Sequence, residues 1–362
     1  MKLLLFYKLP VVTLLFLTLS SSQLSSCSMQ CSFNESPGNL SEVSPQASIS
    51  NQYPNATGWS PEKLAIAKDY ANEIGSSAIV ILHNESLVAE WGMIDKKINS
   101  HSARKSLLST LIGIAIEMGK IDINENLSTL GIDDENPSLN ASEKLATIQQ
   151  LLQARSGVYH RAAYETANAV QNRPTRNSHL PGEFWYYNNW DFNTLGSIFE
   201  SKTGMSIGQA FDNWIAKPIG LTDFNENDVV YVYEEESVHP AYPFFITSRD
   251  LARFGLLFLN DGAWDGQQII PSAWISESTT AYSDVDSLIT PSVSYGYMWW
   301  VRGDGTYHAQ GSGQQYLHID PTNKIVISHR TDTCDIAETH RPTNSEMDKL
   351  IKLITDAHPD NQ

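Results

Sequence analysis

Residues 102–118 read SARKSLLSTLIGIAIEM, a polar tetrad followed by a mostly apolar run. The apolar residues recur at the three- and four-residue spacing of one helix face, which predicts a helix that begins at Ser102 and ends at Gly119. The positions on this face are Leu107, Leu108, Leu111, Ile112 and Ala115. Because residues three apart on a helix share a face, the Ser102 hydroxyl and the Lys105 amine are expected to meet.

A serine and a lysine at the start of a helix suit nucleophilic catalysis. A serine hydroxyl is a weak nucleophile that needs a base, and a partly buried lysine with a lowered pKa can act as that base. Backbone N–H groups at a helix N-terminus are unpaired and can hold a developing oxyanion. The tetrad alone is equally compatible with Ser102 as a plain helix cap and Lys105 as a solvated side chain.

A second motif, Tyr187-x-Asn189, lies in a predicted loop before a helix that starts near Asp191. A phenol held beside a lysine ammonium is stabilised as phenolate and can relay a proton, which is the role we assign to Tyr187. The Asn189 amide is expected to orient Lys105 and a substrate carbonyl. An aromatic anchor beside a helix is the structural alternative, given the neighbouring Trp185.

The order of these motifs resembles that of the penicillin-recognising serine hydrolases. Ser-x-x-Lys is followed 85 residues later by Tyr-x-Asn, and a strand ending in glycine lies near the C-terminus. The surrounding sequence is similar to the branch of this family that contains class C β-lactamases, related esterases and 6-aminohexanoate-dimer hydrolase. The stretches that support this similarity are 146–152, 155–157, 187–196, 247–255 and 295–300.

The resemblance implies an α+β fold, with an antiparallel sheet flanked by N- and C-terminal helices and an inserted, mostly helical lobe. It also implies an acyl-enzyme on Ser102, formed from a small-molecule acyl substrate without a cofactor or metal. The bond attacked is an ester, an amide or a β-lactam, and the sequence does not choose among them. A D-alanine peptidase and a non-catalytic sensor or envelope module remain open.

The third motif departs from the pattern. Relatives carry Lys or His, a small residue and Gly, whereas this chain has Ala309-Gln310-Gly311, and His308 comes one residue too early. By strand alternation, the His308 side chain is expected on the opposite face. The resemblance implies that the backbone N–H groups of Ser102 and Ser312 form the oxyanion hole. The altered motif puts recognition of a substrate carboxylate in doubt. The candidate pocket residues are Tyr159, Trp185, Gln310 and Gly311.

Composition narrows the possible partners. The chain has 362 residues and a formal net charge of −17, so its surface repels phosphate backbones and nucleic-acid binding is not expected. The oligomeric state cannot be inferred.

Two other groups of residues are weak candidates for a functional site. The set His329, Asp332, Asp335 and His340 matches no metal-ligand spacing. Gly204-x-Ser206-x-Gly208 resembles a nucleophile elbow, but a helix precedes it and Ser206 with Gln209 predicts a capping box.

The N-terminus predicts export. Residues 1–26 combine early lysines with a short apolar stretch, which is typical of a signal peptide and too short to span a bilayer. Small residues precede Cys27 as in a lipoprotein signal, so we expect lipidation of Cys27 and contact with the membrane only through that anchor. The expected location is the cell envelope, as an outer-membrane lipoprotein or in the periplasm. An ordinary signal peptide is the alternative, and a Cys31–Cys334 disulfide stays open.

The remaining chain is expected to form one catalytic domain behind a tether. Residues 27–59 are rich in Ser, Asn, Pro and Gln, which predicts a flexible tether. Residues 60–358 are expected to form the hydrolase domain, with a sheet lobe at about 60–101 and 290–358 and a helical lobe at about 102–289. A single strand is predicted from Tyr295 to Val301.

Overall fold

The computed structural model describes residues 40, 49–50, 52–53, 55–135, 137–285, 293–334 and 341–361. Within these residues the main sheet has eight antiparallel strands in the order β2-β1-β14-β13-β12-β11-β10-β9. Its strands are β1 (Ala78–His83), β2 (Ser86–Gly92), β9 (Ser283–Asp284), β10 (Val293–Tyr295), β11 (Trp300–Arg302), β12 (Tyr307–Gly311), β13 (Gln315–Asp320) and β14 (Ile325–Arg330).

Smaller strand pairs join loops outside this sheet. They are β3 (Ile98–Asn99) with β6 (Phe245–Ile246), β4 (Val232–Glu234) with β5 (Ser237–Ala241), and β7 (Ala263–Trp264) with β8 (Gln267–Gln268). The helices are α1 (Pro61–Glu73), α2 (Arg104–Glu117), α3 (Leu127–Leu130), α4 (Ile148–Leu152), α5 (Ala167–Gln171), α6 (Asn189–Thr203), α7 (Ile207–Phe211), α8 (Lys217–Ile219), α9 (Ser248–Leu259), α10 (Ser272–Ser278) and α11 (Asn344–Thr355).

The centre of the sheet joins the two ends of the domain. Strand β1 pairs with β14 from Ala78 opposite Arg330 to His83 opposite Ile325. Residues 78–82 and the whole of β14 are buried, so both faces of these two central strands are covered by other parts of the domain. Long-range pairing therefore places the N-terminal hairpin beside the C-terminal meander.

Helices cover both faces of the sheet. Helix α1, capped by the Ser60 hydroxyl, and helix α11, which has a capping box, pack on one face around a small apolar core that includes Ile79, Ile327 and Leu350. Helices α2, α6 and α9 contribute to the larger core on the other side. At Gly255 of α9 an added Cβ would stand 2.6 Å from Val326 Cγ1, so glycine allows the close approach of α9 to the sheet.

The predicted α+β architecture is confirmed, with three local corrections. The single strand predicted from Tyr295 to Val301 is two strands, because a tight turn with Met298 at φ 61° lies between β10 and β11. The main sheet also takes in β9, inside the predicted helical lobe. The predicted tether was too long: Ile49, Tyr53 and Trp59 are buried, and Arg253 Nη1 donates to the Tyr53 hydroxyl at 2.8 Å.

The Cys27 lipidation prediction and the signal peptide fall outside the described residues. In the stretches that the structure describes, no helix combines the length and apolar character needed to cross a bilayer.

Candidate active site

Ser102 lies in a single 3₁₀ turn, His101–Ala103, that leads into α2. His101 has a left-handed backbone, with φ 46°, which a non-glycine residue rarely adopts. The turn is held on both sides: the His101 N–H donates to Asn99 Oδ1 at 2.8 Å, and the Ser100 N–H donates to the Phe244 carbonyl at 2.8 Å. The β3 strand and the turn therefore fix where the Ser102 hydroxyl points.

The structure brings the three predicted reactive groups together. Lys105 Nζ lies 2.8 Å from Ser102 Oγ and 2.8 Å from the Tyr187 hydroxyl oxygen. Ser102 and Lys105 are one helical turn apart, whereas Tyr187 arrives from the loop before α6. These distances are within hydrogen-bond reach, so a proton can pass between the hydroxyl, the amine and the phenol.

Burial sets the charge states of this group. Burial, and next the nearby Arg104 charge, lower the pKa of Lys105 well below its usual value. Burial raises the pKa of Tyr187 to about 12, although hydrogen bonding to Ser102 and the Arg104 charge act in the opposite direction. Desolvation thus favours the uncharged amine, in keeping with the lysine base expected from the sequence, and favours the protonated phenol instead of the expected phenolate. A dry site disfavours both charges.

Aromatic rings supply this dry environment. The Tyr187 ring stacks on Trp300 with ring centroids 5.5 Å apart, and the Phe192 ring lies 5.1 Å from it. Trp185 contacts the same cluster through Tyr295 and Trp300. Trp185, a predicted pocket residue, thus packs in the aromatic group that holds Tyr187.

Gly311 is placed against the nucleophile. A Cβ added there would stand 2.2 Å from the Ser100 carbonyl oxygen and 2.9 Å from the Ser102 backbone nitrogen. Only glycine lets the end of β12 approach this turn so closely. Ser312, the next residue, is exposed, so the chain leaves the strand directly beside Ser102.

Gln310 does not belong to this cleft, which corrects its prediction as a pocket residue. Its Nε2 donates to Gln314 Oε1 at 2.9 Å and to Asn344 Oδ1 of α11 at 2.7 Å, so its side chain is held at α11. His308 stacks on Tyr316, which belongs to the core under α1 and α11, with centroids 4.4 Å apart, and on Trp300 of the neighbouring strand with centroids 6.5 Å apart; Ala309 belongs to the other core. The expected orientation of His308 is thus observed, and buried Ala309 stands where relatives carry Lys or His.

The predicted orienting role of Asn189 is not visible in the hydrogen bonds. Asn189 is the first residue of α6, and in the described part of the chain its amide makes no hydrogen bond with Lys105. The adjacent Asn188 caps the helix and donates to the Val158 carbonyl at 2.6 Å and to Asp191 Oδ1 at 2.9 Å. The helix begins at Asn189 instead of near Asp191.

Tyr159 is also placed elsewhere. Its hydroxyl lies 3.1 Å from His179 Nδ1, and its ring meets Tyr186 edge-on. It lines a cavity of about 450 Å³ with His160, Arg176 and other charged residues, and this lining does not include Ser102, Lys105 or Tyr187. The structure therefore gives Tyr159 no direct place beside the nucleophile.

Two site residues escaped the sequence analysis. Arg104, inside the tetrad, is buried beside Lys105 instead of solvated. Asp191 is fully buried, accepts from Ser156 Oγ at 2.5 Å, and has a pKa raised well above its usual value by burial. A charged residue inside the first motif and another two residues after the second were the available signals, since charged residues are rarely buried without a reason.

Neither competing constellation is assembled among the residues that the structure describes. Both ring nitrogens of His329 are engaged, with the Gln314 carbonyl at 2.7 Å and Ser76 Oγ at 2.8 Å. Asp335 and His340 lie outside the described residues, and the described residues contain no cluster of three or more His, Cys, Asp or Glu side chains suited to a metal. Ser206 caps α7 in a capping box with Gln209, as predicted.

The sheet, its covering helices and the Ser102–Lys105–Tyr187 group define the class of penicillin-recognising serine hydrolases. The profile of the beta-lactamase family matches residues 65–331, and the chain belongs to this family.

Named relatives include hydrolases. The chain is 24% identical over 343 residues to the 6-aminohexanoate-dimer hydrolase of Paenarthrobacter ureafaciens, covering 82% of this chain and 86% of that protein. Its fold is similar to that of a family VIII carboxylesterase (TM-score 0.61, 16% identity, 84% of this chain and 98% of the other). It is also similar in fold to a penicillin-binding protein from Bacillus halodurans (TM-score 0.59, 15% identity, 79% and 99%).

Proposed function

We propose that the protein is a serine hydrolase that cleaves an ester or a linear amide through an acyl-enzyme on Ser102. One observation carries the proposal: a buried amine, Lys105 Nζ, lies 2.8 Å from both the Ser102 hydroxyl and the Tyr187 phenol. An uncharged amine beside a serine hydroxyl is a base that activates the hydroxyl as a nucleophile. A protonated phenol on the other side of the amine can act as the acid.

In the acylation step, Ser102 Oγ bonds to the substrate carbonyl carbon and its proton passes to Lys105 Nζ. The carbonyl electron pair moves to oxygen, and the N–H groups of Ser102 and Ser312 hold that oxyanion. The intermediate collapses, and the bond to the leaving group breaks. Tyr187 then protonates the leaving atom, and the Lys105 ammonium returns its proton to the Tyr187 oxygen.

Deacylation uses the same groups with water in place of Ser102. Lys105 takes a proton from a water molecule while the water oxygen attacks the acyl carbon. Ser102 Oγ then leaves and regains its proton from Lys105. Both steps return the amine to its uncharged form, so no cofactor is needed. The Asn189 amide is assigned to orient the substrate carbonyl.

The substrate class follows from what lines the site. Ala309 replaces the cation that relatives present to a substrate carboxylate, and the partly exposed rings of Trp185 and Trp300 give the site aromatic walls beside Tyr187. An uncharged acyl group suits such walls better than an anionic β-lactam. The relatives described above, a 6-aminohexanoate-dimer hydrolase and a carboxylesterase, support hydrolysis of an ester or a linear amide.

Active-site labelling tests the proposal. A fluorophosphonate probe should modify the wild type, and p-nitrophenyl butyrate should be hydrolysed, while Ser102→Ala should lose both reactions. Ser106→Ala is the matched control, because Ser106 lies one turn further along α2 and its hydroxyl donates to the Met298 carbonyl. A correctly folded wild type that reacts with neither reagent, nor with a labelled penicillin, would identify the protein as a non-catalytic ligand-binding module.

We further propose that the protein is exported and anchored by lipid on Cys27. The signal-like residues 1–26 and the cysteine that follows them support this location.

A further inference from the structure

Arg104 is a buried cation whose charge is not neutralised. Its side chain is 1% exposed, and its Nη1 donates to the His101 carbonyl at 3.1 Å. Its Nε and Nη2 atoms are buried and have no hydrogen-bond partner in the described part of the chain. A buried guanidinium normally pairs with a carboxylate, since removing it from water is costly.

Two aromatic rings hold the guanidinium in place. Its central carbon lies 5.6 Å from the Tyr164 ring centroid and 5.1 Å from the Tyr242 ring centroid. Ring faces attract a cation but do not cancel its charge, whereas a carboxylate would cancel it. Arg104 therefore keeps a net positive charge inside the protein, one residue from Lys105.

We propose that Arg104 is a positioning residue: its buried guanidinium, which has no carboxylate partner among the described residues and lies next to Lys105 in the chain, favours the amine form that accepts the Ser102 proton. This inference rests on the proposed function. A second positive charge on Lys105 would face the first in a dry environment, where like charges repel strongly.

The other groups around the amine do not supply this charge. Lys105 Nζ faces Ser102, the Tyr187 phenol and the Phe192 ring. The pKa of Tyr187 is raised to about 12, and burial with the Arg104 charge lowers the pKa of His101 to about 3. Both groups are uncharged near neutral pH. After burial, the Arg104 charge is the influence that lowers the pKa of Lys105.

The test is the pH profile of Ser102 reactivity in Arg104→Met and Arg104→Gln. The second-order rate of fluorophosphonate labelling and kcat/KM for p-nitrophenyl butyrate are measured from pH 5 to pH 10. Removing the charge should raise the pKa of Lys105. The acid limb of the pH–rate profile, where the rate falls as the pH falls, should then shift to higher pH by about one unit. The rate on that limb should fall about tenfold and recover at higher pH.

A purely structural role gives a different result. Lost packing lowers the rate by the same factor at every pH and leaves the limb in place, and that outcome would overturn the inference. Lys352→Met removes a positive charge from an exposed position on α11 and should leave the limb unchanged. Circular dichroism and the Tm verify folding of each variant.

A third substitution covers the case in which neither neutral variant folds. Arg104→Lys retains a cation, so the acid limb should stay within about half a pH unit of the wild type; a displacement of a full unit refutes the role. If the wild type reacts with neither probe at any pH, the proposed function has failed, which is a distinct outcome from a limb that does not move.

Discussion

Gly311 lies so close to Ser102 that a methyl group at position 311 would stand 2.9 Å from the Ser102 backbone nitrogen. The end of β12 and the nucleophile turn are thus in direct backbone contact, although they are 209 residues apart (311 − 102). The same Cβ would stand 2.2 Å from the Ser100 carbonyl oxygen, and backbone cannot yield as a flexible side chain can. This contact fixes the third motif beside Ser102 even though the motif has lost its cation.

Gly311→Ala should disable the site. The added methyl must push β12 away from the turn, which is expected to cost about 1–3 kcal/mol of stability and at least about a hundredfold in labelling rate. Fluorophosphonate labelling and urea unfolding measure the two effects. Gly303→Ala is the control, because an added Cβ meets nothing within 4 Å there. Full activity in Gly311→Ala would show that this contact does not shape the oxyanion hole.

Tyr187→Phe tests the phenol as a proton donor. The ring and its stacking on Trp300 are retained while the hydroxyl beside Lys105 is removed. We expect kcat for p-nitrophenyl butyrate to fall by about 10²–10³, with a smaller change in Tm. Tyr233→Phe, at a position 74% exposed on the β4–β5 hairpin, is the matched control. An unchanged kcat in Tyr187→Phe would remove the phenol from the mechanism.

Stability should fall in acid partly because of His318. Burial, and next the Arg302 charge, lower its pKa from 6.5 to about 4 in the folded protein. The unfolded chain then binds the proton more tightly, so stability is full above about pH 6.5 and is lost as the pH falls toward 4. His318→Leu should reduce this loss by about 1.4 kcal/mol per pH unit.

Urea unfolding between pH 4.5 and 7 measures the His318 slope. Ile319→Leu, in the same strand and without a titrating group, should keep the wild-type slope. An identical slope in His318→Leu contradicts the assignment.

The Cys27 prediction is tested in cells that process lipoproteins. Wild-type protein should incorporate labelled palmitate and enter the detergent phase of a Triton X-114 separation, because buried acyl chains hold it at the membrane. Cys27→Ala should lose the label, whereas Cys31→Ala should retain it. Incorporation of label in Cys27→Ala, or none in the wild type, argues for an ordinary signal peptide.

Local patterns in the sequence predicted much of this site. The helical spacing of residues 102–118 placed Lys105 on the same face as Ser102, and their atoms are 2.8 Å apart. Strand alternation placed His308 away from the nucleophile, where it stacks on Tyr316. The same alternation places Gln310 with His308 on that face, so its prediction as a pocket residue could have been corrected from the sequence.

Long-range packing decided the rest. The contact of Tyr187 with Lys105 spans 82 residues, and no local spacing encodes it. Burial also keeps Tyr187 as a phenol where the sequence predicted a phenolate, because the sequence does not state how much water reaches the hydroxyl. The burial of Ile49 and Tyr53 within a polar segment has the same origin.

The sequence by itself determined the motif order, the helix that presents Ser102 and Lys105, and the glycine that ends β12. Each follows from the periodicity or conformational freedom of a few adjacent residues. Only the tertiary structure decided how burial shifts the pKa of Lys105 downward and that of Tyr187 upward, and that the Arg104 guanidinium is buried. Charge state depends on desolvation by distant parts of the chain, and that environment exists only after folding.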